Sequence, residues 1–219
     1  MNLKPSPLLP ILLSCAFAAH DFGELPDLPG ADDLLEGVTW DAFLLGGGEK
    51  KTMPAEGERF QEALRVSVPG KKPNSWDVSL YAKTTKEVAK DDTLVLVFYA
   101  RVLSDEEGRG VGRFGVNFQK ASAPWTGSMS QTLTVGSEWK RIFIAFTAKE
   151  GYAPGDAKIS FLLATQKQEL EIGGILLANY ASRATLDQVK KAGNPTFADY
   201  PIELMRFANF GFKDEVAGD

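Results

Sequence analysis

Histidine and cysteine are almost absent from this chain of 219 residues: there is one of each, His20 and Cys15, and both lie near its start. A chain so made has no Ser-His-Asp triad, no Cys-His pair, no CxxC and no His-rich metal site. It has no disulfide framework either, so its stability rests on a hydrophobic core. Basic charge is also in deficit. Lys and Arg number 24 against 29 Asp and Glu, for a net charge of −5 and no basic run, which argues against a nucleic-acid partner. No apolar run is long enough to span a bilayer as a helix. The glycines sit in turns between strands and open no helix, so no phosphate-binding loop is expected.

The one long apolar stretch, Leu8 to Ala19 behind Lys4, ends in small residues at Ala16 and Ala18. It reads as a secretory signal over residues 1–19, and with it a secreted, cell-surface or periplasmic bacterial protein. Leu12-Leu13-Ser14-Cys15 also resembles a bacterial lipobox, which would make Cys15 a lipid anchor in place of free secretion. A frayed apolar terminus on a cytoplasmic protein is the alternative.

The residues that are present, 44% hydrophobic and 11% aromatic, suffice for one core. Residues 20–37 have no period and read as an extended lead-in. From Thr39 the pattern turns to alternating strands separated by Gly, Pro and Asp. Leu64, Val66 and Val68 alternate with Arg65 and Ser67. Trp76, Val78, Leu80 and Ala82 alternate with Asp77, Ser79, Tyr81 and Lys83. LVLVFYAR, residues 94–101, is apolar on both faces and reads as a central strand. A bulge is expected at Gly173-Gly174. About eight to ten short strands without a competing helical period indicate an all-β antiparallel sandwich or barrel over residues 38–180. TLDQVKKAG, residues 185–193, reads as a short helix ending at glycine, inside a helical and irregular tail over 181–219 that packs on the sandwich or leads to a linker.

RFGVNFQ, from Arg113, sets Asn117 and Gln119 on the face opposite Phe114, Val116 and Phe118, and the segment runs on to Pro124-Trp125. Amides both donate and accept, which suits a neutral ligand rich in hydroxyls. An aromatic ring suits the apolar face of a sugar. Solvated surface is the plainer reading of the same residues. Tyr81 and Arg101 are further candidates, and Tyr99, on the second face of the central strand, either lies beside a groove or simply packs there. Trp40 and Trp139 read as structural. Two carboxylates beside tryptophans, Asp77 and Glu138, are the candidates for a carboxylate-only glycosidase.

The order ALRVSV, NSWDVSLY, DDTLVLVFYARV, VGSEWKRIFIAFTA and ISFLLATQKQELEIGGILLANY resembles the jelly-roll carbohydrate-binding modules of the cellulose- and xylan-binding group, which are galactose-binding-domain-like and often attached to bacterial xylanase-type glycoside hydrolases. The resemblance implies a jelly-roll sandwich and a noncatalytic protein that binds a neutral polysaccharide or oligosaccharide, with β-glucan or xylan favoured, and a glycoside hydrolase as a potential partner. It implies that Trp76 lines a sugar groove, that Gln166, with Gln168 nearby, bonds sugar hydroxyls, that Asn117 and Gln119 face the groove and that Trp125 sits at its edge. Such modules often carry a structural calcium on an Ile-Asp-Asp-Val-like strand. Here Ile172-Gly173-Gly174-Ile175 lacks the carboxylate, so neither calcium nor any other cofactor is expected. The alternatives are a structural or adhesion sandwich without a sugar site, and the carboxylate enzyme.

Overall fold

The computed structural model describes residues 28, 30–56, 58 and 60–193. Residues 1–19, which the sequence reads as a secretory signal and which include Cys15, together with His20 and the tail beyond Gly193, lie outside the described residues. Alternation of apolar and polar residues dictates strands, and two antiparallel sheets result. The strands are β1 (Asp32–Asp33), β2 (Asp41–Leu44), β3 (Glu49–Pro54), β4 (Glu62–Val68), β5 (Val78–Lys83), β6 (Thr93–Asp105), β7 (Gly112–Lys120), β8 (Gly127–Val135), β9 (Lys140–Thr147), β10 (Ala157–Leu162) and β11 (Gln168–Ala181). A front sheet runs β2-β5-β10-β7-β8. A back sheet runs β3-β4-β11-β6-β9, with β1 also paired to β11. The fold is the antiparallel jelly-roll sandwich that the sequence order implies.

The core lies between the sheets. The front sheet contributes Val78, Leu80, Phe114, Val116, Phe118, Ile159 and Phe161; the back sheet contributes Val66, Leu96, Phe98, Ile144, Leu170 and Ile172. Phe98 meets Phe161 edge to face at 5.0 Å, and Phe118 packs on Phe146 at 5.3 Å. Each such phenylalanine stabilises the fold by roughly 1.5–3 kcal/mol through burial.

β6 is apolar on both faces because its outward face is covered too. Val95 and Val97 form a second cluster with Leu176, Ala178, Tyr180, Ala184 and Val189. The covering elements are the helix α1 (Leu186–Gly193) and the lead-in at Leu28 and Ala31. Thr185 caps α1: its hydroxyl accepts from Gln188 N while the Gln188 side chain accepts from Thr185 N.

Three features differ from the sequence expectation. The lead-in contributes β1 and buries Leu34 in the core. β3 is a strand although its EKKTMP sequence is charged, because it is an edge strand of the back sheet. Trp76 leaves the alternation of β5: a 3-10 turn over Ser75–Asp77 buries Asp77 and exposes Trp76. That turn is also the exception to the absence of helical structure between residues 39 and 180. No helix among the described residues is long and apolar enough to cross a membrane.

Candidate functional site

With the even-numbered residues of β5 and β7 in the core, their odd-numbered residues face outward on the front sheet. Strand register arranges these outward residues in rows. One row reads Lys83, Lys158, Gln119. The next reads Asp41, Tyr81, Ser160, Asn117, Ser130. The third reads Phe43, Ser79, Leu162, Gly115, Thr132. Arg113 stands opposite Thr134 at the far end. The described elements that pack over an outward face, α1 and the lead-in, do so on the back sheet.

Trp125 reaches this face from the β7–β8 turn. Its ring lies 4.7 Å from the Lys158 ammonium, which lies 5.1 Å from the Tyr81 ring on its other contact. Half of Trp125 remains exposed, at 51%. The turn that presents it is tied down: Trp125 N donates to Ser122 O at 3.0 Å, Lys120 N donates to Thr126 O at 2.8 Å, and Glu150 accepts from the Thr126 hydroxyl and pairs with Lys120. Those contacts, Thr126 first, hold the Glu150 carboxyl below its ordinary range. Trp125 itself adopts φ 58°, a left-handed conformation that costs a non-glycine residue on the order of 1–2 kcal/mol. Such strain persists where surrounding contacts over-determine it.

Beside the rings, Asn117 Nδ2 donates to Gln119 Oε1 at 3.2 Å, so the two amides form a pair. Asn117 Oδ1 and its cross-strand neighbour Ser160 Oγ are buried with no protein partner. Buried oxygens of this kind are ordinarily satisfied by water or ligand. Burial, followed by the charge of Lys83, lowers the pKa of Lys158.

Of the residues singled out from sequence, Tyr81, Asn117, Gln119 and Trp125 therefore come together on one face. Trp76 is exposed, at 56%, on the turn leading into β5, where the exposed Leu45 donates its N–H to Asp77 O at 2.7 Å. Gln166 lies on the β10–β11 loop, and its amide donates to Val111 O at 2.7 Å, toward the Arg113 end.

Two sequence candidates are placed elsewhere. Gln168 is buried on β11, accepts from Arg113 N and donates to Arg113 O and Leu163 O, so it ties the back sheet to the front sheet. Arg101 faces outward on the back sheet. The cross-strand row Arg65–Glu171–Arg101 buries Glu171 between two guanidinium groups, and Arg101 also stacks on Trp139 at 4.5 Å. Burial raises the Glu171 pKa, but the hydrogen bonds from Arg65 and Arg101 outweigh it and hold the carboxyl low. Of the carboxylate pair, Asp77 accepts from Asn74 N at 3.1 Å and closes the 3-10 turn, while Glu138 lies on the β8–β9 turn.

Phe43, Lys158 and Ser160 share the front face and were not singled out from sequence. Their signal was the polar phase of AKISFL and the exposed phase of DAFL. A cleft of about 350 Å³ lies elsewhere, between Trp40, Lys50, Glu62 and Gly173-Gly174. Neither Trp125 nor Tyr81 lines it. Among the described residues no group of three or more His, Cys, Asp or Glu is placed to hold a metal ion.

No family model and no curated protein matches the chain. Solved structures do. A carbohydrate-binding module of type CBM4 aligns with a TM-score of 0.51 at 18% identity, over 64% of this chain and 94% of its own. The second N-terminal cellulose-binding domain of Cellulomonas fimi β-1,4-glucanase C aligns at 0.49 and 20% identity, over 72% and 95%. The CBM22-1 xylan-binding domain of Paenibacillus barcinonensis Xyn10C aligns at 0.48 and 11%, over 71% and 96%. The CBM4 likeness is one of fold.

Proposed function

We propose that this protein is a secreted, noncatalytic carbohydrate-binding module that takes a polysaccharide chain on the outward face of its front sheet. The observation that carries the reading is the convergence of Tyr81 and Trp125 on that face beside the amide pair Asn117–Gln119. Rings receive the C–H face of a pyranose, and amides receive its hydroxyl edge. Ser130, Thr132 and Thr134 add hydroxyls along β8. A β-linked glucan or xylan backbone is the favoured chain, by the resemblance of the sequence, and a glycoside hydrolase is the favoured partner. The carboxylate-enzyme alternative loses support because Asp77 is buried and engaged in its own turn.

Sugar hydroxyls replace water nearly one for one, so the affinity is modest. A Kd of tens of micromolar corresponds to roughly 6 kcal/mol. Affinity electrophoresis through gels containing xylan, mixed-linkage glucan or mannan tests the reading. The folded chain is expected to be retarded by at least one polymer, and Trp125→Ala to migrate freely in the same gel. Free migration of the folded wild-type chain in every polysaccharide gel, charged ones included, would refute it.

A further inference from the structure

The front face carries a charge that the rest of the chain does not prepare one to expect. Lys83 and Lys158 stand directly opposite each other in the β5–β10 pair. Like charges in that position destabilise a sheet. Among the described residues neither lysine makes an ion pair. The Lys158 ammonium is held between the Tyr81 and Trp125 rings, at the centre of the proposed binding surface, and is not free to swing out into solvent without losing both contacts. Arg113 adds a third cation six residues along β7 from Gln119, about 20 Å away at the usual rise per residue. The carboxylate on this face is Asp41, at the β2 edge beside Tyr81. Among the described residues, the outward positions of these strands thus carry three cations and one carboxylate, with Lys120 and Glu150 paired to each other at the Trp125 turn, in a chain whose net charge is −5.

A cation fixed between two stacking rings places positive charge where a sugar ring would lie. An uncharged glycan leaves that charge without a counterpart and keeps the unfavourable lysine pair. An acidic group on the sugar removes both penalties through charge-assisted hydrogen bonds. Because the molecule as a whole is acidic, general attraction to polyanions does not account for such binding; it has to come from this face.

We propose that the polysaccharide bound here carries anionic groups, carboxylate or sulfate, and that Lys158 and Lys83 receive them. The proposal rests on the carbohydrate reading above and narrows its ligand. Isothermal titration calorimetry with the full chain tests it, using glucuronoxylan and the same polymer after carboxyl reduction. Alginate and a sulfated galactan serve as the arms that separate carboxylate from sulfate, each at 50 and 500 mM NaCl (roughly a threefold change in screening length). Lys158→Met keeps the side chain between the rings without its charge, and Lys158→Arg keeps the charge.

The expected result is binding at least about tenfold tighter to one charged polymer than to its uncharged counterpart. That preference should weaken in high salt, be lost in Lys158→Met with Lys83→Met, and be largely retained in Lys158→Arg. Equal affinity for glucuronoxylan and its reduced form, without binding to alginate or the sulfated galactan, overturns the proposal and leaves the carbohydrate reading standing. A charge preference that survives both Met substitutions also overturns it. Absence of binding to every polymer overturns both.

Discussion

Single side chains on the two sheets differ in what their loss should do. Trp125 is half exposed and Tyr81 half-buried on the front face, so on the proposed reading their truncation removes ligand contact more than core. Trp125→Ala is expected to weaken polysaccharide binding about tenfold or more, near 1.4 kcal/mol, with the thermal midpoint little changed; titration calorimetry beside a melting curve checks both. Gln168 is the opposite case. Carried on the back sheet, its amide satisfies backbone groups of the front sheet at Arg113 and, just past β10, at Leu163, so Gln168→Ala should cost about 1–3 kcal/mol of stability for each buried group left unpaired. Urea denaturation reads that loss, and binding by the folded fraction should persist. The outward placement of Asn117 and Gln119 was legible from alternation alone. Gln168 was not, because parity along one strand does not reveal the Arg113 backbone facing it from the other sheet. The setting of Arg101 was hidden for a related reason: the sequence marks it as the polar end of an apolar strand, but not that Glu171 is its cross-strand neighbour.

Elements explain the remaining departures. The bulge at Gly173-Gly174 was expected from the glycines, but its purpose lies outside β11. A Cβ at Gly173 would come within 2.4 Å of the Phe60 ring, and Phe60 in turn packs on Tyr99 and on the edge of Trp139. Aromatic packing thus occupies the stretch that in the resembling modules often holds an acidic residue. Gly173→Ala is expected to destabilise the fold by about 1–3 kcal/mol through overpacking, as read by chemical denaturation. Phe60→Ala in the same background should recover part of that loss. β3 went unseen because its charged sequence is that of an edge strand, where lysines and Pro54 discourage pairing with another chain. The turn at Ser75–Asp77 was hidden because Trp76 continues the parity of β5 by coincidence. The Asn74–Asp77 cap, rather than periodicity, decides its conformation.

At the scale of the whole molecule, the two outward faces differ in what covers them among the described residues. The back sheet is covered by α1 and the lead-in at one end and by the Phe60, Tyr99 and Trp139 packing at the other. The front sheet keeps its rings and amides at the surface. The back face also sets an acid limit on stability. Glu171 has a folded pKa below the ordinary 4.5, so its contribution is complete above that value and is lost as pH falls through the lower folded one. Glu171→Gln is expected to lose about 2–3 kcal/mol at neutral pH, less than a fully buried pair because both guanidinium groups are about a third exposed. The variant should also show a shallower fall in stability between neutral pH and pH 3. An acid denaturation series on the two proteins measures it. The jelly roll itself was legible in the order of strands and turns, whereas the partition of its two faces needed the register.

The central claim is that the front face binds a polysaccharide. The chain has four tryptophans, Trp40, Trp76, Trp125 and Trp139, whose indole N–H groups report on different parts of the molecule. An NMR titration of the folded chain with the polymer that retards it would follow these resonances together with the side-chain amides. The account predicts that Trp125 and the amides of Asn117 and Gln119 shift in a saturable way while Trp40, Trp139 and Gln168 stay fixed. Shifts confined to Trp139 and its neighbours on the back sheet, with Trp125 unmoved, would contradict it.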